Sequence, residues 1–417
     1  MFSRRDFCRI GGLSVALYGS VRSLLAADEV PPPDGLTDMV KDVRPLPDEA
    51  FAARREKARA LMTGAQLDAL WLESGTDLTY FTNVRWGLSE RTFGVLLPRR
   101  GEPVWICPAF ELERAQERIP AGQAVRTWKE HESPYALIGG TLKDLGAGPR
   151  LGLGPTVRAF QYFGLGAAVP QLELRPGAPV TEGCRGIKSE QELAYMDLAN
   201  RILKLAYRRA FRHLKDGMTP DDLRRLIGDN CQRMGVSGGG WPQFGQNSAY
   251  PHGSMVRRDL EKGGIVLVDG GCSVEGYRAD VTRTVVFGPP TDRQRRVWDI
   301  VYKAQQAAYA VVRPGVTCEA VDASARRVIE AAGFGPGYTF FAHRLGHGIG
   351  LDGHEYPYLV RGNTLTLQPG MTFSNEPGIY IYGEFGVRIE DCFAVTEDGY
   401  RVLGGLESTT LDQPFGE

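Results

Sequence analysis

Apolar positions recur in two different rhythms along the chain. From about residue 47 to 180, stretches of helical spacing alternate with short apolar runs of strand length. Residues 51–62 and 111–118 carry the helical period, and residues 67–72, 93–97 and 104–107 are compact apolar runs that read as strands. From residue 187 the helices lengthen and their starts are marked. Ser189 with Glu192 forms a capping box opening a helix to about Leu214, and Thr219 followed by Pro220 opens a second that stops near Gly235. The same order returns further on, where Thr291 with Gln294 opens a helix to Val312 and Thr317 opens another to Gly333. The junctions match locally, Asp216-Gly217-Met218-Thr219 against Pro314-Gly315-Val316-Thr317. Each helix pair precedes a strand hairpin, so the pattern predicts two pseudo-symmetric α/β halves.

The hairpins carry the chemistry. They lie in IVLVDGGCSVEGYRADVTRTVVFG and FSNEPGIYIYGEFGVRIED, with HRLGHGIGLDGHE between them. A two-residue turn at Val274-Glu275 would set Asp269 directly opposite Asp280. A three-residue turn centred on Gly383 would set Glu376 opposite Glu390. Cross-strand partners on one face have Cβ atoms roughly 5 Å apart, where like charges repel. Two such acidic pairs, with the glycine-flanked His347 between them, imply a cation, and the number of acids suggests a pair of divalent metal ions. Oxygen donors with one imidazole suit Mn²⁺ or Co²⁺ better than a structural zinc site, with Zn²⁺ a further candidate.

These strings in this order, VDGG, ADVTRT, GHGIG, NEPGIY and VRIED, resemble the metallopeptidases of the pita-bread fold, and more narrowly their Xaa-Pro aminopeptidase and Xaa-Pro dipeptidase (prolidase) branch. The resemblance covers roughly residues 50–410. It implies an α/β fold in which a small creatinase/prolidase-like α/β domain, residues 47–182, precedes a pseudo-symmetric pita-bread catalytic domain, residues 187–412. It further implies that Asp269 holds one ion and His347 the other, with Asp280 and Glu390 bridging both and Glu376 also ligating. A hydroxide shared by the two ions would be the nucleophile, and Glu376 would move its proton towards the leaving proline nitrogen. By the same resemblance His252 contacts substrate, His343 and His354 shape the proline pocket and stabilise the tetrahedral intermediate, and Arg388 orients the acids. A homodimer or higher homo-oligomer is implied as well.

The substrate class follows from that likeness: a peptide with proline in second position, cleaved by an aminopeptidase, or as the alternative a dipeptide cleaved by an Xaa-Pro dipeptidase. A metal-assisted lyase or hydrolase acting on a small charged osmolyte is a further alternative. Thr282 is placed to support Asp280, Tyr277 reads as packing, and His131 and His213 fall outside the motifs. Trp86 could line a pocket or pack in its own domain. Arg344 beside His343, and Gly353 before His354, depart from the commoner motif, and an extra cation there could read a substrate carboxylate.

Composition changes the picture little. A net charge of −1 over 417 residues gives no basic face for nucleic acid. The seven cysteines show no CxxC spacing and read as small buried hydrophobes. The beginning of the chain does add something. Ser3-Arg4-Arg5-Asp6-Phe7 and the apolar stretch ending at Ala26-Ala27 resemble a twin-arginine export signal over residues 1–27, followed by a Pro-rich linker, residues 28–46. This predicts a periplasmic or extracellular protein without stable membrane insertion once the signal is removed. Export favours scavenging of oligopeptides, and hence the aminopeptidase.

Overall fold

The computed structural model describes residues 36–416, so the expected export signal and the first part of the expected linker lie outside the described residues. Two compact units emerge, one holding Arg55–Leu78 and Val84–Val180, the other Thr37–Arg54, Thr79–Asn83 and the chain from Thr181 onward.

The first long helix is α1 (Asp48–Gly64), and the smaller unit continues through β1 (Ala69–Glu73), α2 (Thr76–Thr82), β2 (Gly94–Pro98), β3 (Val104–Pro108), α3 (Leu112–Gln116), β4 (Ala124–Trp128), α4 (Pro134–Asp144), β5 (Arg150–Leu153), α5 (Ala159–Ala168) and β6 (Glu173–Pro176). Its six strands form one sheet in the order β4-β3-β2-β1-β5-β6. Every residue of β1, β2 and β3 is buried, which explains why these strands read as unbroken apolar runs rather than as alternation. Ile138 and Leu142 of α4 and Leu165 of α5 pack on Ala69, Trp71 and Ile106 of that sheet. Trp86 stacks on Phe93 at 4.1 Å with Arg114 over its ring, so within its own unit it is a packing residue.

After α6 (Ala178–Arg185), the larger unit contains α7 (Glu190–Phe211), α8 (Pro220–Arg233), β7 (Gly238–Phe244), β8 (Ile265–Val274), β9 (Tyr277–Val286), α9 (Asp292–Tyr309) and α10 (Cys318–Ala331). Six short strands and β16 complete it: β10 (Gly346–Gly348), β11 (Glu355–Leu359), β12 (Thr372–Asn375), β13 (Gly378–Ile381), β14 (Phe385–Arg388), β15 (Asp391–Val395) and β16 (Tyr400–Val402). The expected capping boxes are present at Ser189/Glu192 and Thr291/Gln294, and Thr219 makes one with Asp222. Each half therefore runs helix pair, then strands, as the repeat predicts. One sheet is β7-β8-β9 and a second is β11-β10-β12-β15-β16, with β13-β14 as a separate ribbon. Trp298 and Val301 of α9, Val321 and Ile329 of α10, and Phe373 and Phe393 of the strands share one core. Residues 36–46 carry no helix or strand, yet they hydrogen-bond to this unit: Met39 N–H donates to the Met234 carbonyl and the Tyr195 hydroxyl to that of Arg44.

The first hairpin corrects one expectation. Its turn is Glu275-Gly276, not Val274-Glu275, because Val274 pairs with Tyr277 and the two turn residues take φ of 51° and 88°. Gly276 tolerates that left-handed backbone where valine would be strained, and Val274 stays buried. The register moves by two residues, so Asp269 faces Thr282 and Asp280 faces Gly271. Asp269 and Asp280 remain on one face as diagonal neighbours. The second hairpin is as expected: Ile381 pairs with Phe385 around Gly383, and Asn375 pairs with Asp391, which sets Glu376 level with Glu390.

Beneath Glu390 lies a fully buried ion triad. The Asp391 carboxylate takes Lys204 Nζ at 2.6 Å and Arg283 at 2.8 Å. Lys204 also donates to the Leu403 and Gly405 carbonyls, and Arg283 to those of Glu390 and Thr282. Lys204→Met would strand the buried Leu403 carbonyl, free that of Gly405 and remove half of the Asp391 pairing, at a cost of about 3 kcal/mol. A lowered midpoint in urea unfolding, with little change in slope, is the expected result.

Candidate metal centre

Four strands and one break in a ladder assemble the site. Asp269 and Asp280 project from β8 and β9. His347 sits at the middle of β10, where Gly346 lets that strand approach β12: a Cβ on Gly346 would lie 1.9 Å from the Ser374 carbonyl oxygen. Ser374 Oγ accepts the His347 N–H at 3.0 Å and donates to Glu376 Oε1 at 3.1 Å. Glu376 and Glu390 fall between two paired stretches of the second hairpin and bond elsewhere. The Glu376 N–H donates to Leu345 and the Glu390 N–H to Thr282. That second bond ties the second hairpin to the first.

The side chains converge in three overlapping groups whose donor atoms all lie within 4.8 Å of one another: Asp269, Asp280 and Glu390; His347, Glu376 and Glu390; and Asp280, His347 and His354. All five sequence-derived ligand candidates are thus brought together. Two observations fit this set to divalent cations. Thr282 Oγ1 stands 2.8 Å from Asp269 Oδ1 and 2.7 Å from Glu390 Oε2 but carries a single proton, so one of the two carboxylates lacks a donor there. His347 Nδ1 lies 3.0 Å from its neighbour's carbonyl oxygen at Gly348, which directs a proton there and leaves Nε2 facing Glu376 at 3.3 Å and Asp280 at 3.7 Å. With Nδ1 committed to that carbonyl, Nε2 is the nitrogen that points among carboxylate oxygens, where a divalent cation would take the place of its proton.

The electrostatics agree. Burial and then the Asp269 charge push Asp280 well above the usual carboxylate range, and burial with Asp280, Glu376 and Asp269 does the same to Glu390. Glu376 behaves differently: burial raises it, but the His347 hydrogen bond and the positive groups around it outweigh this and hold it at about 2. Arg388 is buried against the acids, donating to Asp269 Oδ2 at 3.0 Å, to Thr282 Oγ1 at 3.0 Å and to the Pro251 carbonyl at 3.1 Å.

The remaining sequence-named residues surround this cluster. His252, exposed, follows the residue whose carbonyl Arg388 holds. His343 is fixed at both nitrogens: Nδ1 faces the Arg344 carbonyl at 2.8 Å, so Nε2 accepts from the Tyr380 hydroxyl at 2.7 Å, and Arg388 donates to that hydroxyl at 2.9 Å. Burial keeps His343 neutral by lowering its pKa. His354 stacks on His347 at 3.7 Å, and burial and the His347 charge lower its pKa too. Tyr277 donates to Glu192 at 2.6 Å and accepts from Arg54, a structural contact. Arg344 lies over the Tyr358 ring at 4.4 Å and acts electrostatically on His354. Two residues take no role from the sequence. Tyr380 closes the NEPGIY string without being singled out there. Trp241, the cross-strand partner of Asp269, is 62% exposed on that same face, and only the pairing of β7 with β8 reveals it.

Comparison with known proteins finds the model of metallopeptidase family M24 matching residues 194–397 and that of the creatinase/prolidase N-terminal domain matching residues 54–187. The probable dipeptidase PepE of Mycobacterium tuberculosis is 36% identical over 356 residues, 84% of this chain and 93% of that protein. The Xaa-Pro dipeptidase of Lactobacillus helveticus is 32% identical over 357 residues, 84% of this chain and 95% of the relative. The crystal structure of dipeptidase PepE from Mycobacterium ulcerans superposes with a TM-score of 0.81 at 33% identity, covering 86% of this chain and 97% of the other.

Raised carboxylates predict an unusual pH dependence for the metal-free protein. Asp280 and Glu390 bind protons more tightly folded than unfolded, so their contribution is full below about pH 4 and is lost as pH rises through their folded values. Thermal unfolding in chelator should therefore fall in midpoint from pH 5 to pH 8, and two equivalents of Mn²⁺ should remove that fall. A flat chelator profile would contradict the electrostatic account.

Proposed function

The chain belongs to metallopeptidase family M24, and on that premise we propose that it is a dinuclear Xaa-Pro dipeptidase. The observation that carries the hydrolytic reading is the convergence of Asp269, Asp280, His347, Glu376 and Glu390 into overlapping donor groups. The dipeptidase names of its relatives favour dipeptide cleavage over the aminopeptidase reading that the export argument favours. Mn²⁺ is the proposed ion, on the oxygen-rich donor set. Export by the twin-arginine route to the periplasm or beyond, and assembly as a homodimer, belong to the proposal as well.

Ions held there would supply Lewis-acid polarisation of the scissile carbonyl and a lowered pKa for the attacking water. The protein's own residues do the rest. Asp269, Asp280, His347 and Glu390 would hold the ions, with Thr282 facing Asp269 and Glu390 and Arg388 bonded to Asp269 and Thr282. Glu376 stays ionised across the working range, so it can take the proton of the attacking water and deliver it to the departing nitrogen. That nitrogen needs a proton because an Xaa-Pro bond is a tertiary amide without an N–H. Neutral His354, exposed beside His347, can hydrogen-bond the oxygen that gains charge at the scissile carbon. His343, held by Tyr380, presents the imidazole edge that walls the proline side, and His252 meets the substrate from the exposed segment after Pro251. Arg344 is the cation proposed to read the free carboxylate of the proline that ends an Xaa-Pro dipeptide.

Mass spectrometry of cleavage by the Mn²⁺-loaded protein tests this with Ala-Pro, Ala-Pro-Ala-Ala and Ala-Ala-Ala-Ala. Hydrolysis of Ala-Pro with both tetrapeptides intact is the expected outcome, and Arg344→Ala should then raise KM by about tenfold or more. Release of alanine from Ala-Pro-Ala-Ala would return the reading to an aminopeptidase. No cleavage at all, with two ions bound, would sink the peptidase reading.

A further inference from the structure

Helix α10 carries a buried ion pair that the chemistry above leaves unused. Asp322 and Arg326 stand four residues apart on one helix face, 1% and 3% exposed. The guanidinium has five N–H groups, and each one has an acceptor. Nε and Nη2 bind the two Asp322 oxygens at 3.1 and 2.9 Å. Nη1 donates to the Gly337 carbonyl at 3.1 Å and the Phe341 carbonyl at 2.9 Å, and Nη2 donates to that of His343 at 3.0 Å. The rings of Tyr338 and Phe341 lie 4.1 and 4.3 Å from the guanidinium carbon.

Those acceptors share one location. All three carbonyls belong to the segment 337–343 that delivers His343 to the site. Asp322 Oδ1 also accepts the Leu345 N–H at 3.0 Å, and the Leu345 carbonyl in turn accepts the N–H of Glu376 at 2.9 Å. One side-chain pair therefore reaches two site residues, His343 through its own carbonyl and Glu376 through Leu345. A pair that served stability alone would have no reason to spend all three donors left over from Asp322 on one catalytic loop.

We propose that Arg326, oriented by Asp322, is a positioning residue for the hydrolysis: it fixes the segment 337–345 so that His343 and Glu376 keep their places beside the ions. This rests on the hydrolase reading above. The fork geometry is what counts, since a lysine keeps the charge but cannot span three carbonyls and a carboxylate at once.

Arg326→Lys tests it, with turnover on Ala-Pro, metal content and backbone hydrogen exchange measured on the same preparation. Turnover should fall about tenfold to a hundredfold, while KM and the two bound ions stay near wild type. The Leu345 and Glu376 amides should lose exchange protection, and those of Val268 and Val281 in the first hairpin should keep theirs. Unchanged turnover per folded molecule with unchanged protection would overturn the proposal. So would a uniform loss of protection across the larger unit, with activity falling only as the folded fraction falls. If the lysine variant fails to fold, Asp322→Asn, which keeps an acceptor for Leu345 but loosens the guanidinium, should lower exchange protection selectively in the segment 337–345 while Val268 and Val281 keep theirs. A wild-type protein that cleaves no Xaa-Pro dipeptide would defeat the functional reading, and the exchange pattern would still decide the positioning role.

Discussion

Mutual repulsion among four carboxylates governs this fold's larger unit. Asp269, Asp280, Glu376 and Glu390 share a space in which their oxygens come within hydrogen-bond or ligand distance of common partners. Within it Arg388 and a protonated His347 supply at most two positive charges. Part of the shortfall is met by holding protons on Asp280 and Glu390, which is what their raised pKa values express. Divalent cations would meet it more completely and would free both carboxylates to ligate. The folded chain thus carries an unfavourable cluster whose stabilisation comes with the ions.

Much of the surrounding architecture serves to keep those acids from separating. Two hairpins are joined by the Glu390–Thr282 bridge, at the point where the second hairpin's own ladder breaks. The backbone that could have paired Glu376 with Glu390 is instead anchored to β9 and to Leu345. Below, Lys204 and Arg283 neutralise Asp391, and Arg283 also grips the main chain of Glu390 and Thr282, so the floor of the site is tied down. On its other side Glu355, next to His354, is held by Arg185 and Lys188. Rigid supports of this kind are what allow a catalytic group to be placed within a fraction of an ångström.

How much of this could be read from sequence divides along physical lines. Helix starts were legible because caps are local: Ser189, Thr219 and Thr291 each satisfy an N–H three residues away. The acid pairs were legible because a hairpin is nearly local too, yet one turn was misplaced. Val274-Glu275 and Glu275-Gly276 differ by a single step, and only the positive-φ tolerance of Gly276 decides between them. That step separates a face-to-face Asp269–Asp280 pair from the diagonal one in the structure, where Thr282 stands opposite Asp269 and its hydroxyl faces Asp269 and Glu390. Trp241, Tyr380 and the Asp322–Arg326 pair were not legible. Each acts through a partner in a distant part of the chain, and nothing in the neighbouring residues signals that contact.

The central claim is that this cluster is built around two cations, and anomalous diffraction from crystals of the full chain grown with Mn²⁺ tests it most directly. The account predicts two peaks, one among Asp269, Asp280 and Glu390, the other against His347, Glu376 and Glu390, with His347 Nε2 turned to its ion. A single peak, or none while the Arg388 and His347 contacts persist, would contradict it, because the protein's own cations would then suffice to hold the four acids together.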